Sequence, residues 1–163
     1  MVDLKSVLKI SFFDNISQEK LTHLCAKFEQ KSFKSGDVVF RDGSDPDGVY
    51  FLLSGLLKVV HNEVQVALVH PGEQVGELAV LTGLKRAADI ICGEDGQALF
   101  ISKDDLVKIL ESDKDFCIQV YKNTLITLTR GLKNQNFVME ASKLLDDIQV
   151  DVGDGQLNEM PDD

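Results

Sequence analysis

Residues 76–88 read Gly-Glu-Leu-Ala-Val-Leu-Thr-Gly-Leu-Lys-Arg-Ala-Ala. In this stretch an acidic residue follows a glycine, a short apolar turn of helix comes next, and an arginine stands nine residues after the acid. Gly76 has no side chain, so the backbone can approach a ligand closely there. The first N–H groups of the turn at residues 78–81 have no partner within a helix and lie at the positive end of its dipole. The stretch therefore predicts a loop that binds an anion.

Two charged side chains make this prediction more specific. Arg86 carries a planar guanidinium, which is a good partner for phosphate oxygens. The carboxylate of Glu77 repels phosphate, but it can accept a hydrogen bond from a sugar hydroxyl. Because a phosphate beside a ribose is part of a nucleotide, the two residues together indicate a nucleotide site. Taken alone, two such charges more often form an internal ion pair or stay solvated at the surface, and this alternative remains open.

At these residues the chain resembles the cyclic-nucleotide-binding domains, a family of the catabolite activator protein and protein kinase A regulatory subunit type. The phosphate-binding cassette of that family reads roughly Phe-Gly-Glu-Leu-Ala-Leu, a turn of about four or five residues, and then Arg-Ala or Arg-Ser/Thr. This chain departs from the pattern at Val75, where the family usually has an aromatic residue, and at Lys85, where proline is frequent. Both charged residues are in register, which makes the match far more specific than a single glycine motif.

The resemblance implies roles for individual residues. Glu77 would accept a hydrogen bond from the ribose 2′-hydroxyl, and Arg86 would bind the cyclic phosphate. Backbone N–H groups around Leu78, Ala79 and Ala87 would complete the phosphate cradle. The residues expected to bind the ligand are Val75, Gly76, Glu77, Leu78, Ala79, Arg86, Ala87, Ala88, Gln135 and Asn136.

The resemblance also bears on which base is bound. In the family, a serine or threonine directly after the arginine is often associated with cyclic GMP, because its hydroxyl can reach the guanine amine. Ala87 offers neither a donor nor an acceptor, so the expected ligand is cyclic AMP. Aligning residues 130–132 with the family's Arg-Arg-Leu places Asn134, Gln135 and Asn136 one turn later, where polar side chains contact adenine. The alternative is that these three residues belong to a polar helix face.

The spacing of apolar residues divides the chain into segments. Residues 1–30 are predicted to form N-terminal helices, with Ser17 as the N-cap of a helix over residues 17–30. Residues 31–101 change to short β runs, separated by turn signals at residues 45–48, 61–63, 70–72 and 93–96. Residues 102–146 return to helical spacing, with candidate N-caps at Ser102 and Asp113.

The expected fold is mainly β with flanking helices. It is a β-roll, jelly-roll-like and of cyclic-nucleotide-binding type, with N-terminal helices and a long C-terminal helix. The cyclic-nucleotide-binding domain is expected to cover residues 1–146. Residues 147–163 are expected to form an acidic, disordered tail, because the segment from residue 146 onward carries seven acids and no Lys or Arg.

The long C-terminal helix carries a repeating apolar pattern. Ile118, Leu125, Leu132 and Met139 recur every seven residues, and Tyr121 and Leu128 stand three residues further on. This is the spacing of a coiled-coil seam. One interpretation is a helix that lies on its own β-roll. The other, which the family's habit of pairing through this helix favours, is a homodimer.

Composition excludes several classes of protein. The chain has 163 residues, is 44% hydrophobic and carries a net charge of −10, which disfavours direct binding to nucleic acid. It contains no apolar run of the roughly 18 residues that a membrane helix needs, and no signal peptide is evident. The cysteines, Cys25, Cys92 and Cys117, follow no disulfide or metal-ligand pattern. We therefore expect a cytoplasmic protein that does not associate with membranes.

Catalysis is not expected. The histidines are isolated and have no second ligand at metal spacing, so no metal site is predicted. No nucleophile–base arrangement or P-loop is present in the sequence, and a nucleotide-hydrolysing enzyme would need metal ligands that the sequence lacks.

The sequence therefore predicts a cyclic AMP sensor that signals to an unidentified effector protein by repositioning its C-terminal helix. The alternatives are a structural or dimerisation module that has kept the fold and lost the ligand, and a regulatory fragment of a larger protein.

Overall fold

The computed structural model describes residues 2–133 of the chain. Two short helices and a 3-10 turn come first: α1 (Leu4–Val7), the turn Ser11–Phe13, and α2 (Gln18–Cys25). Six strands follow, interrupted by one helix: β1 (Glu29–Phe33), β2 (Val38–Phe40), β3 (Gly48–His61), β4 (Val64–Val69), β5 (Gln74–Val75), α3 (Glu77–Thr82) and β6 (Asp89–Ser102). The last two elements are α4 (Lys103–Ser112) and α5 (Lys114–Lys133).

The strands form one antiparallel sheet that curls on itself. Its central path runs β1-β6-β3-β4, while β2 also pairs with β6 and β5 with β3. The two long strands, β3 and β6, pair from Gly48 opposite Ser102 to Val60 opposite Asp89, and the register shifts three times between Leu52 and Leu57. Such bulges bend a strand and increase its twist. The arrangement confirms the predicted mainly-β fold with flanking helices.

Two local predictions were wrong. The predicted turn at residues 93–96 lies inside β6, where the strand continues through the bulged region. The glycines are needed there because the strands approach closely: a Cβ on Gly96 would overlap the Ser54 backbone. The helix predicted over residues 17–30 ends at Cys25. It stops there because the Phe28 ring packs in an aromatic cluster and because β1 begins to pair with β6 at Glu29.

The three predicted helix N-caps are confirmed. The Ser17 hydroxyl accepts a hydrogen bond from the Lys20 backbone N–H at 3.4 Å at the start of α2. Ser102 Oγ accepts from the Asp105 N–H at 3.1 Å at the start of α4. At the start of α5, Asp113 Oδ1 accepts from the Phe116 N–H at 2.9 Å.

Apolar side chains gather in two clusters on opposite faces of the sheet. The first joins the N-terminal segment to α4 and α5 and includes Phe12, Phe51 and Leu106, each almost fully buried. The second fills the inside of the roll and includes Val59, Val75 and other strand residues. This second cluster forms the floor beneath the segment that the sequence singled out.

The long helix α5 is tied to the N-terminal segment by a buried polar contact. Asn123 is 3% exposed, and its Nδ2 donates to the Phe12 carbonyl oxygen at 2.9 Å and to the Asp14 carbonyl oxygen at 2.8 Å. A buried amide needs such partners. The contact places one face of α5 on the body of the domain.

Several predictions fall on residues that the structure does not describe. These are the extension of the C-terminal helix to residue 146, the ligand contacts of Gln135 and Asn136, the seam position Met139, and the acidic tail at residues 147–163. Within residues 2–133, none of the helices combines the length and the apolar character needed to cross a membrane.

Candidate functional site

Gly76 lies at the junction between β5 and α3. Its backbone has φ 85° and ψ 1°, the left-handed conformation that favours glycine. A Cβ at this position would also collide with Nη1 of Arg86. Two independent features of the structure therefore require glycine here.

The Arg86 guanidinium is buried beside Gly76. Nη1 donates to the Gly76 carbonyl oxygen at 2.8 Å, while Nη2 donates to Asp47 Oδ1 at 2.6 Å and to the Gly48 carbonyl oxygen at 2.7 Å. Arg86 Cζ lies 4.0 Å from the centroid of the Phe40 ring, which is a cation–π contact. Nε is buried as well, and it has no hydrogen-bond partner among the described residues. The Nε N–H is thus left for a further acceptor.

Asp47 holds the arginine from the rim of the site. Its side chain is 56% exposed, whereas that of Arg86 is 1% exposed. The hydroxyl of Tyr50 donates to Asp47 Oδ2 at 2.9 Å. Burial and the neighbouring carboxylate raise the pKa of Tyr50, so the phenol keeps its proton and remains a donor. Arg86 therefore forms an internal ion pair with Asp47.

Backbone contacts fix the segment that carries Arg86. Its N–H donates to the Ser44 carbonyl oxygen at 2.9 Å, and its carbonyl oxygen accepts from the Gly43 N–H at 2.8 Å. Nearby, Lys85 Nζ donates to Asp45 Oδ1 at 2.9 Å on the surface. The loop between β2 and β3 therefore sets the position of the arginine.

The structure brings together every predicted site residue that it describes. All of them line a cavity of about 40 Å³: Val75, Gly76, Glu77, Leu78, Ala79, Arg86, Ala87 and Ala88. Glu77 is the first residue of α3 and is 6% exposed. The floor of the cavity is apolar and includes Val59 and Ile90. Gln135 and Asn136 lie outside the described residues.

A second, larger cavity of about 440 Å³ adjoins the first. It lies between β4 and α5, and α5 contributes Thr127, Arg130 and Gly131. Val59 and Gln74 line both cavities. A ligand held in the first cavity and extending past these two residues would therefore reach the long helix.

Three residues of this region were not found from the sequence. Asp47 sits in a stretch interpreted as a turn, and its contact with Arg86 spans 39 positions. Phe40 and Gln74 carry no local signal, since each resembles an ordinary strand residue. The one available hint was the pair of acids in residues 45–48, one of which could have been matched to the buried arginine.

A sequence model of the cyclic nucleotide-binding domain matches residues 30–113, a range that begins within β1 and contains β2 to β6 and the whole cassette. The chain belongs to the cyclic nucleotide-binding domain family. The matched region contains every residue that lines the smaller cavity.

Curated relatives are much longer than this chain. Over 125 residues it is 30% identical to patatin-like phospholipase domain-containing protein 7 of Rattus norvegicus, a match that covers 73% of this chain and 9% of that protein. It is 25% identical over 133 residues to the cAMP-dependent protein kinase type II regulatory subunit of Drosophila melanogaster, covering 80% of this chain and 35% of the subunit.

Solved structures show the same fold at low identity. A cyclic nucleotide-binding domain from Methylobacillus flagellatus superposes with a TM-score of 0.70 at 22% identity, covering 86% of this chain and 81% of that one. The regulatory subunit of a cAMP-independent protein kinase A from Trypanosoma brucei gives 0.68 at 21% identity, covering 86% and 48%. These likenesses establish the fold of the cyclic nucleotide-binding domain.

Proposed function

We propose that this domain is a cyclic AMP sensor whose ligand binds in the cassette cavity. The observation that carries the proposal is the buried Nε of Arg86, which faces no acceptor among the described residues although the rest of the guanidinium is fixed. A buried donor without a partner costs free energy, and an anionic oxygen entering the cavity would satisfy it. A cyclic phosphate supplies such an oxygen.

Different residues of the cassette bind different parts of the ligand. Arg86 binds the phosphate through Nε, and the backbone N–H groups around Leu78, Ala79 and Ala87 donate to the other phosphate oxygens. Glu77, buried at the edge of the same cavity, accepts a hydrogen bond from the ribose 2′-hydroxyl. Asp47 positions the guanidinium and keeps its charge partly balanced when no ligand is bound.

The proposed signal is a change in the position of α5. The larger cavity is lined by both β4 and α5, so a nucleotide anchored at Arg86 can contact the long helix directly. A ligand favours one helix position only through contacts that the other position lacks. The output would pass to an effector protein, or to another part of a longer chain, because the matched relatives extend far beyond this domain.

Cyclic AMP is expected to raise the melting temperature more than cyclic GMP does, because Ala87 provides no hydroxyl for the guanine amine. Ligand at about 100 times its dissociation constant should stabilise the domain by roughly 2.7 kcal/mol. That corresponds to a shift of about 5–10 °C for a chain of this size. Differential scanning fluorimetry with both nucleotides measures the effect, and equal shifts would contradict the choice of base.

A second proposal concerns α5, which we infer forms a homodimer interface. The helix buries Val120, Asn123 and Thr124 against its own domain. On the other face the seam residues Ile118 and Leu125 are 54% and 62% exposed, and Tyr121 beside them is 43% exposed. A second copy of the helix would cover this apolar stripe.

Leu125→Asp is expected to give monomers, because it places a charge in the centre of the stripe. Lys108→Asp is the matched control, since it adds the same residue at an exposed position of α4 and should leave the dimer intact. Multi-angle light scattering reads the mass, and circular dichroism checks the fold. A wild-type mass of one chain at high protein concentration would contradict the dimer.

The remaining elements of the proposal are a binding role without catalysis and a cytoplasmic location. Burial raises the pKa of the Cys25 and Cys92 thiols, which suits unreactive cysteines in a reducing compartment. The competing function is a module that keeps the fold without the ligand. The tight packing of Arg86 against Asp47 favours it, and the Trypanosoma brucei subunit is a related fold described as cAMP-independent.

A further inference from the structure

Gln74 is a buried amide that the cassette does not explain. It lies in β5 opposite Phe51, two residues before Gly76, and it is 8% exposed. Neither its Nε2 nor its Oε1 has a hydrogen-bond partner among the described residues. Buried side-chain amides are normally paired, because removing them from water without a partner is costly. The orphaned amide therefore indicates a group that a ligand satisfies.

The position of Gln74 limits which part of a ligand it can meet. The cassette cavity encloses about 40 Å³, little more than the roughly 30 Å³ that one water molecule occupies in the liquid, and ligand pockets usually measure about 300–1,000 Å³. A nucleotide whose phosphate is held at Arg86 must therefore extend into the adjoining cavity of about 440 Å³. Gln74 lines both cavities, so it also borders the larger cavity that the ribose and base would fill.

The chemistry of the amide matches one base better than the other. A glutamine side chain offers an N–H donor and a carbonyl acceptor side by side. Adenine presents the complementary pair on one edge, the N6 amine as donor and N7 as acceptor, and glutamine binds this edge with two hydrogen bonds. The corresponding edge of guanine presents two acceptors, N7 and O6, so the glutamine oxygen would face a lone pair there.

We propose that Gln74 reads the base of the bound nucleotide through the N6/N7 edge of adenine and is a specificity-determining residue of this site. The inference rests on the proposed function, since it requires a cyclic nucleotide at Arg86. It makes selection for adenine depend on a residue of β5, in addition to the absence of a hydroxyl at Ala87.

The test compares cyclic AMP with its 7-deaza analogue, in which a C–H group replaces N7. Calorimetry on the wild-type chain should show weaker binding of the analogue by about 5- to 10-fold, the loss expected for one hydrogen bond. Gln74→Leu should bind both compounds equally, and its preference for cyclic AMP over cyclic GMP should fall towards one. Gln18→Leu is the matched control, because Gln18 is an exposed amide on α2 and lines neither cavity.

The melting temperature of ligand-free Gln74→Leu distinguishes a role in base recognition from a structural role. Gln74→Leu removes an amide that has no partner to lose, so its melting temperature should stay level or rise by about 2–4 °C. A drop of several degrees would mean that the amide supports the fold and would overturn the inference.

The inference and the proposed function fail in different ways. If the wild-type chain binds neither cyclic nucleotide, the proposed function is wrong and the inference falls with it. If wild type binds cyclic AMP and 7-deaza-cyclic AMP equally well, Gln74 does not read the N7 edge, while the proposed function stands. The wild-type comparison needs no variant, so it gives a result even if Gln74→Leu does not fold.

Discussion

Replacing Arg86 by alanine is expected to abolish detectable cyclic AMP binding. The guanidinium is the cation that the structure buries within the cassette cavity, and truncating one partner of a buried charged contact costs about 2–5 kcal/mol. Affinity should therefore fall by at least about 30-fold. Arg86→Lys should recover only part of the loss, because an ammonium keeps the charge without the fork that holds Asp47, Gly48 and Gly76.

Lys34→Ala is the matched control for Arg86→Ala. Lys34 is a cation that lines neither cavity, and it is exposed and pairs with Asp95 on the surface. Its removal should change affinity by less than about three-fold, since exposed ion pairs contribute roughly 0–1 kcal/mol. Isothermal titration calorimetry measures the affinities, and circular dichroism shows whether each variant is folded. Wild-type affinity in folded Arg86→Ala would mean that the cassette no longer serves a ligand.

Gly76→Ala is expected to damage both the fold and the site. A left-handed backbone conformation costs a non-glycine residue about 1–2 kcal/mol. The new methyl group would also strike Arg86 Nη1 and push the guanidinium out of its contacts with Asp47 and Gly48. We expect a loss of about 3 kcal/mol or more in the free energy of unfolding, together with a loss of cyclic AMP binding comparable to that of Arg86→Ala.

Gly83→Ala is the control that separates the steric collision at Gly76 from the cost of a left-handed backbone conformation. Gly83 ends α3 with φ 75°, close to the φ of 85° at Gly76, but nothing lies within 4 Å of the position that its Cβ would take. The alanine there should carry the backbone penalty alone. Urea unfolding of the two variants measures the difference directly. If both variants lose the same stability and keep the same affinity, the contact between Gly76 and Arg86 is not important.

The features predicted well from the sequence are those with local physical causes. The helix caps at Ser17, Ser102 and Asp113 were recognised because a capping side chain binds a backbone N–H of its own helix, three residues away. The change from helical to alternating spacing correctly indicated a β fold between two helical segments. A hydrophobic pattern records which face of each element is buried.

The features that were missed depend on contacts distant in sequence. Arg86 was expected to be held ready for phosphate, and nothing near it in the chain indicated that Asp47 would hold it. Asn123 was one polar residue in an amphipathic helix, yet it fixes α5 to carbonyl groups more than 100 positions away. Gly93 and Gly96 resembled the glycines of a turn, but neither has a positive φ. A Cβ at either position would come too close to β3, a contact distant in sequence.

Titration calorimetry of the wild-type chain with cyclic AMP tests the central claim most directly. It should be run at two temperatures, because a binding enthalpy close to zero at one temperature is no longer zero at the other when binding changes the heat capacity. We expect saturable binding of one cyclic AMP per chain, tighter than the binding of cyclic GMP. Absence of saturable heat at both temperatures, with the protein folded by circular dichroism and cyclic AMP in the millimolar range, would contradict the claim that this domain senses cyclic AMP.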